Sequence, residues 1–192
     1  MTRPTEGKIT SGFNEPRPMS DPGKHIHGAI DIGDPVGTPI KAPESGSAFC
    51  YVGVRQDDGE YWPKMPMLHD KLFHWCNYFY DMFGGVIVLM AHNGDPREIT
   101  RTHIITHCYG NQIFNKSIFK DYPAPAPWVE QAQDWRFPVH GIFTDKIMVS
   151  EGDIIGFVGN AGYSTGPHIH HEIHHGYKYE KHADRVNPEE IF

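Results

Sequence analysis

Short stretches rich in β-branched and aromatic residues recur along the whole chain, and Gly, Pro, Asn or Asp bounds each of them. Runs of this length and composition predict strands that are separated by turns. The predicted strands comprise residues 8–13, 38–42, 48–54, 85–91, 101–108, 154–158 and 168–174. The pattern therefore predicts a mainly β fold, an antiparallel sheet or sandwich that forms one domain over residues 1–192.

Two segments interrupt this strand pattern. Between residues 68 and 83 the apolar positions recur at intervals of four and three, which predicts one face of a helix; they are Leu68, Leu72, Cys76, Phe79 and Phe83. Residues 111–146 are rich in Pro and Trp, which predicts a long loop. We therefore expect two insertions in the domain, a helical one over residues 55–83 and a loop over residues 111–146.

The chain is acidic, because its 192 residues include 24 Asp and Glu against 17 Lys and Arg, a formal net charge of −7. Binding to nucleic acid requires clustered basic residues that neutralise phosphates, so we expect no nucleic-acid partner. The longest apolar run, residues 86–91, is too short to cross a bilayer, so we expect no membrane insertion. Cys50, Cys76 and Cys108 match no zinc or redox spacing, which predicts reduced thiols.

Histidine is unusually frequent, with 14 residues, and several of them fall in the segment 164–174. Side chains alternate along a strand, so His168, His170, Glu172 and His174 share one face of the last predicted strand. Two imidazoles at such spacing can reach one metal ion. A solvated histidine-rich strand and a metal-buffering tract are alternative interpretations of the same residues.

A second candidate lies near the start of the chain, where His27 and Asp31 are separated by three residues. In an extended chain they are too far apart to bind one ion, so a bend is required, and Gly28 is suited to supply it. With one histidine of the 168/170 pair, His27 and Asp31 make a set of two histidines and one carboxylate. Such a set is typical of a catalytic zinc ion that keeps its fourth position open.

These motifs occur in the order found in a known family. The chain resembles the lysostaphin/LytM-type zinc metallo-endopeptidases of peptidoglycan over residues 9–13, 27–31, 35–40, 149–159, 164–172 and 186–191. The resemblance implies an antiparallel β domain with an active-site groove. It also implies that Zn²⁺ is bound by His27, Asp31 and His170.

By the same resemblance, His168 and His107 are the catalytic histidines that stay unligated beside the metal. His103 is the alternative to His107, because regular alternation puts both on the same face of the strand 101–108. His171 points to the opposite face from the ligands and is assigned to packing or to the surface. Glu172 shares the ligand face, either as a hydrogen-bond partner of a ligand or as an exposed carboxylate.

The implied function is zinc-dependent hydrolysis of peptide cross-links in bacterial peptidoglycan, with stem peptides or cross-bridges as partners. Residues 1–10 contain no apolar segment typical of a signal peptide. We therefore expect either delivery to the cell wall or periplasm by a virion or lysis system, with phage tail proteins as further partners, or an export sequence that this chain lacks. The alternative function is that of a catalytically silent adaptor or virion structural protein, which binds peptidoglycan or a partner through the same fold.

Overall fold

The computed structural model describes residues 1–16, 26–52, 54–55, 61–62, 85–108, 142–143, 147–160, 164–176 and 185–192. Almost all regular structure in these residues is β. The strands are β1 (Lys8–Ser11), β2 (Ile30–Gly33), β3 (Pro39–Lys41), β4 (Gly46–Val52), β5 (Val54–Arg55), β6 (Tyr61–Trp62), β7 (Gly85–His92), β8 (Ile99–Cys108), β9 (Ile142–Phe143), β10 (Ile147–Val149), β11 (Ile154–Phe157), β12 (His168–His175) and β13 (Arg185–Val186). A 3₁₀-helix, Pro188–Glu190, follows β13, and the side chain of Asn187 caps it.

Nine of the described strands form one antiparallel sheet. Its strands lie in the order β1, β2, β12, β8, β7, β4 and β10, and in addition β13 pairs with β12 and β9 pairs with β4. The pairs β3–β11 and β5–β6 form separate two-stranded sheets. Strand β12 is central to the site, because β8 pairs along one of its edges while β2 and β13 pair with successive parts of the other.

The two faces of the sheet differ in chemistry. Directly opposed residues of antiparallel strands share a face, so the register assigns each side chain to one of the two. One face is mainly apolar and includes Ile32, Ile169 and Ile105, all fully buried. The other face carries Asp31, His170, Glu172, His174 and Thr106 as neighbours across β2, β12 and β8. Buried polar groups therefore concentrate on one side of the sheet.

The structure confirms the predicted mainly β, antiparallel fold. Each of the seven predicted strands overlaps an observed one, whereas β2, β6, β9, β10 and β13 were not predicted. The helix predicted over residues 68–83 lies outside the described residues, and so does nearly all of the predicted loop 111–146. Within that loop, residues 142–143 form β9 and pair with β4, so at least this part belongs to the main sheet.

Within the described residues, the structure has no helix that is long and apolar enough to cross a bilayer. Cys108 is a free and fully buried thiol at the end of β8. Burial raises the pKa of this thiol well above its usual value, because a thiolate would be poorly solvated there. The described thiol is therefore chemically inert, as a packing residue would be.

Candidate metal centre and histidine pair

Two of the three predicted ligands are direct neighbours across a strand pair. Asp31 of β2 lies opposite His170 of β12 in the antiparallel register, so both side chains project from the same face. The third ligand, His27, precedes β2 and is anchored by backbone hydrogen bonds. Its N–H donates to the carbonyl of Glu15, and its carbonyl accepts from the N–H of Asn14. All three residues are at most 7% exposed.

The ligand atoms form a nearly equilateral triangle. His27 Nε2 lies 3.1 Å from His170 Nδ1 and 3.1 Å from Asp31 Oδ1, and His170 Nδ1 lies 2.9 Å from Asp31 Oδ1. Two ligands of a tetrahedral ion with bonds of about 2.0 Å are separated by about 3.3 Å, close to these distances. The residues therefore fit a metal ion bound by three protein atoms with one position left over. It is the one such cluster among the residues that the structure describes.

Hydrogen bonds to the far side of each imidazole fix the atom that faces the cluster. His27 Nδ1 lies 3.0 Å from the carbonyl oxygen of Gly12 and 3.1 Å from Ser11 Oγ. A carbonyl can only accept, so Nδ1 carries the hydrogen and the lone pair of Nε2 is directed at the cluster. Two residues of the segment 9–13, which the sequence identified only by its resemblance, therefore orient a ligand.

Glu172 performs the same role for the other histidine ligand. Its Oε1 accepts from His170 Nε2 at 3.2 Å, which directs His170 Nδ1 toward Asp31 and His27. Its Oε2 accepts from His174 Nε2 at 2.9 Å. Burial raises the pKa of Glu172, but these hydrogen bonds and the charge of Arg185 outweigh it and lower the pKa overall. Glu172 is therefore an ionised buried carboxylate, and the alternative of an exposed side chain was wrong.

The electrostatics of the cluster favour a cation at its centre. Burial raises the pKa of Asp31, but the imidazoles of His170 and His27 lower it more strongly, so Asp31 is ionised. Burial lowers the pKa of His170, but hydrogen bonds with Asp31 and Glu172 raise it above its usual value. Two carboxylates thus attract positive charge to His170 Nδ1, whether it is a proton or a metal ion.

A β-bulge in β8 positions His107 beside the cluster. The register between β7 and β8 shifts at this point, so that two β8 residues, Thr106 and His107, oppose one residue of β7. His107 has φ +63°, in the left-handed region that residues other than Gly rarely adopt. Bulges of this kind re-aim a side chain, and here the His107 ring lies with its centroid 6.3 Å from that of His170.

His168 completes a pair of histidines outside the ligand triangle. Its ring centroid lies 4.4 Å from that of His107. His168 Nδ1 lies 2.7 Å from the carbonyl oxygen of Gly166, so Nδ1 carries the hydrogen and Nε2 has its lone pair available. Ser164 Oγ, 3.1 Å from the same nitrogen, supports this orientation. The two histidines that the resemblance assigned to catalysis therefore stand together beside the three predicted ligands.

His103, the alternative to His107, lies on the other face of the sheet. Regular alternation predicted one face for both residues, but the bulge turns His107 away and leaves His103 in the mainly apolar layer. His103 Nδ1 lies 3.1 Å from His171 Nε2, and His103 Nε2 lies 3.3 Å from Glu44 Oε2. His103 and His171 are both fully buried, so they pack inside the domain, on the opposite face of the sheet from the ligand triangle.

Gly28 makes a close contact that differs from the role predicted for it. Its backbone does not adopt a positive φ, so the segment from His27 to Asp31 bends without the conformational freedom of glycine. A methyl group at this position would overlap Nη1 of Arg185 and lie 2.6 Å from its Cζ. An added side chain at this position would therefore displace the Arg185 guanidinium, which comes from β13. The sequence carried no signal for this contact, because the two residues are remote along the chain.

Comparison with solved structures identifies the architecture. The catalytic domain of the antimicrobial peptidase lysostaphin from Staphylococcus simulans superimposes with a TM-score of 0.50 and 19% identity, over 96% of this chain and 91% of that one. The chain has the lysostaphin-type fold. A zinc-containing peptidase from Vibrio cholerae gives a TM-score of 0.52 at 16% identity over 96% of this chain and 37% of that one. LytU gives a TM-score of 0.50 at 20% identity over 96% of this chain and 83% of that one.

Searches with the whole sequence give no match. No protein-family model matches the chain, and no curated protein matches it. Identities of 16–20% support a shared fold and nothing further. The roles of the histidines rest on the geometry described above.

Proposed function

We propose that the chain is a zinc-dependent endopeptidase that hydrolyses peptide cross-links of bacterial peptidoglycan. The single observation that carries the proposal is the meeting of His27, Asp31 and His170 at 2.9–3.1 Å, with the His107–His168 pair beside them. A structural zinc site is normally closed by a fourth protein ligand. Three ligands with two further imidazoles nearby are the arrangement of a hydrolytic site.

The chemistry divides between the ion and the histidine pair. Zn²⁺ held by these ligands would supply a Lewis acid that polarises the scissile carbonyl and acidifies water. The protein supplies the proton transfers. Imidazole is suited to them, because it can accept and donate a proton near neutral pH. One of His107 and His168 takes a proton from the attacking water. The other stabilises the tetrahedral intermediate or protonates the leaving amine.

The orientation of His168 supports such a role. Because Nδ1 donates to the carbonyl of Gly166, the neutral ring keeps Nε2 as an acceptor, which is the form that a general base needs. His107 is held by a strained backbone, and strain of this kind is usually retained where a functional side chain must be aimed. Both residues therefore have a position that packing alone does not explain.

The neighbours of the fold support the proposed substrate class. Lysostaphin is described as an antimicrobial peptidase, and the Vibrio cholerae protein as a zinc-containing peptidase. The metal motifs resemble those of peptidoglycan endopeptidases. We therefore assign peptide cross-links of peptidoglycan as the substrate. The site of action under this proposal is the bacterial cell wall.

Digestion of purified cell walls tests the proposal. Walls with direct cross-links to diaminopimelate and walls with polyglycine bridges are incubated with the zinc-loaded protein, with and without chelator, and new amino termini are identified by mass spectrometry. We expect new termini from one wall type, abolished by chelator and by His168→Ala. The exposed His175 on the same strand provides a matched control, because His175→Ala should leave cleavage unchanged.

The alternative of a silent adaptor makes the opposite prediction. Full zinc occupancy without a new amine terminus from either wall would overturn the proposed activity. Retention of wall binding under those conditions would then identify the adaptor.

A further inference from the structure

One side chain outside the ligand set touches both segments that supply ligands. Arg185 belongs to β13, which pairs with the part of β12 that follows His170 and His171. On the same edge of β12, β2 begins opposite His171, so the residues before β2 run beside β13. The topology thus brings Arg185 next to the segment between His27 and Asp31.

The contacts of Arg185 are specific on both sides. Its Nη2 lies 3.3 Å from Oε2 of Glu172, the carboxylate whose other oxygen accepts from ligand His170. Its guanidinium also rests on the backbone of Gly28, so closely that a Cβ at that position would displace it. The Arg185 side chain is 16% exposed, and the Glu172 side chain is 3% exposed. A partly buried cation therefore bridges a buried carboxylate and a buried glycine.

We propose that Arg185 is a positioning residue for the metal centre, which holds the His27–Asp31 segment and the His170–Glu172 pair in register with each other. The guanidinium is planar and rigid, so contacts at its two sides fix the distance between the segments. Gly28 is the complementary part of this device, because its missing side chain admits the guanidinium. The inference rests on the proposed metal site and adds a residue that does not bind the ion.

Zinc affinity is the direct measure of this role. Dissociation constants are obtained by competition with a chromophoric chelator, in the absence of any substrate, for the parent and for Arg185→Ala, Arg185→Lys and Gly28→Ala. Partners that orient metal ligands typically contribute about 10–100-fold to affinity. We expect a loss of about that size for Arg185→Ala, and partial recovery with Arg185→Lys, which keeps the charge without the planar fork.

Gly28→Ala tests the contact between the guanidinium and residue 28 while Arg185 is still present. The added methyl group displaces the guanidinium, so we expect this variant to lose zinc affinity as Arg185→Ala does. The double variant Gly28→Ala/Arg185→Ala should then bind zinc no more weakly than Arg185→Ala alone, since the methyl group has nothing left to displace. Losses that multiply in the double variant would show that Gly28 acts independently of Arg185.

Two further measurements separate positioning from general destabilisation. The visible absorption spectrum of the Co²⁺-substituted protein reports ligand geometry, and we expect it to change in Arg185→Ala and Gly28→Ala. The exposed Arg97, which pairs with Asp95 on the β7–β8 turn, serves as the control, because Arg97→Ala should change neither affinity nor spectrum. Parent-like affinity and spectrum in both Arg185→Ala and Gly28→Ala would overturn the inference.

The failure of this inference is distinct from failure of the proposed activity. A parent protein that binds zinc tightly but cleaves no wall contradicts the activity, whereas the role of Arg185 is decided only by differences between parent and variants in zinc binding. A parent protein that binds no zinc overturns both.

Discussion

The ring of His107 reaches that of His168, with centroids 4.4 Å apart, because the backbone of His107 is left-handed. In a regular strand His107 would follow His103 onto the mainly apolar face. The bulge costs conformational energy, yet it delivers a second imidazole to the side of the sheet that carries the ligands. The position of this histidine is therefore a property of the backbone as much as of the side chain.

Loss of either member of this pair should separate activity from metal binding. We expect His107→Ala and His168→Ala to lower kcat for cross-link cleavage by about 10²–10⁴-fold, the usual contribution of general acid–base catalysis. Zinc content should stay at the parent level, because neither residue is a member of the ligand triangle. Metal analysis and cleavage kinetics on the same preparations check both statements, and zinc loss in either variant contradicts this division of roles.

The left-handed backbone predicts an inverted order of stability at position 107. Adding a Cβ in this region costs about 1–2 kcal/mol, so His107→Gly should be more stable than His107→Ala by about 1 kcal/mol. In a regular strand Gly would instead be less stable than Ala by about 0.5–1 kcal/mol. Urea denaturation of the two variants gives the sign of the difference, and an Ala variant more stable than the Gly variant rules out the bulge conformation.

Glu44 should stabilise the domain in a pH-dependent way. Burial raises its pKa, but hydrogen bonds from His103 and Arg101 lower it from 4.5 to about 2. Because the pKa is lower in the folded state, the stabilisation is fully present above pH 4.5 and is lost as the pH falls toward 2. We expect Glu44→Gln to lower the free energy of unfolding by about 1.5–3 kcal/mol at pH 7.

The difference in unfolding free energy between the parent and Glu44→Gln should become smaller as the pH falls below 4.5. Urea titrations of the chelator-treated proteins across this range measure it without interference from zinc release. The exposed Glu98 on the β7–β8 turn offers a matched control, since this surface substitution, Glu98→Gln, should leave the free energy of unfolding close to that of the parent. A gap for Glu44→Gln that is equal at pH 7 and at pH 3 contradicts the assignment.

The ligand triangle predicts one tightly bound ion in each chain. Two histidines and a carboxylate also suit iron(II), so elemental analysis must identify the metal as well as count it. We expect one zinc per chain in the parent and none in Asp31→Ala. Asp95→Ala, which removes an aspartate from the β7–β8 turn, should keep its zinc. Several weakly held ions per chain would instead favour the metal-buffering interpretation of the histidine-rich sequence.

Zinc should also stabilise the folded parent, since the ligands meet only in the folded chain. At a free zinc concentration 100 times the dissociation constant, the gain in unfolding free energy is about 2.7 kcal/mol. Thermal melts with and without zinc check this, and Asp31→Ala should show no such gain.

The sequence predicted well those features that depend on neighbouring residues. Alternation along β12 placed His168, His170 and Glu172 on one face, and composition located the longer strands. It missed β2, because Asp31 and Gly33 interrupt a strand of four residues that looks like a turn. Ligand chemistry grouped His27 and Asp31 with one histidine of the 168/170 pair. The choice of His170 came from the family resemblance, since nothing local joins residues near opposite ends of the chain.

The tertiary structure decided what long-range pairing controls. The register between β2 and β12 sets Asp31 opposite His170, a bulge turns His107 to the ligand face, and the shared edge of β12 brings Arg185 onto Gly28. Each of these depends on which strands pair and in what register, and therefore on the packing of the whole sheet. A local pattern predicts the side on which a residue stands in a regular strand. Only the assembled sheet decides where a bulge interrupts that pattern and what each side chain meets.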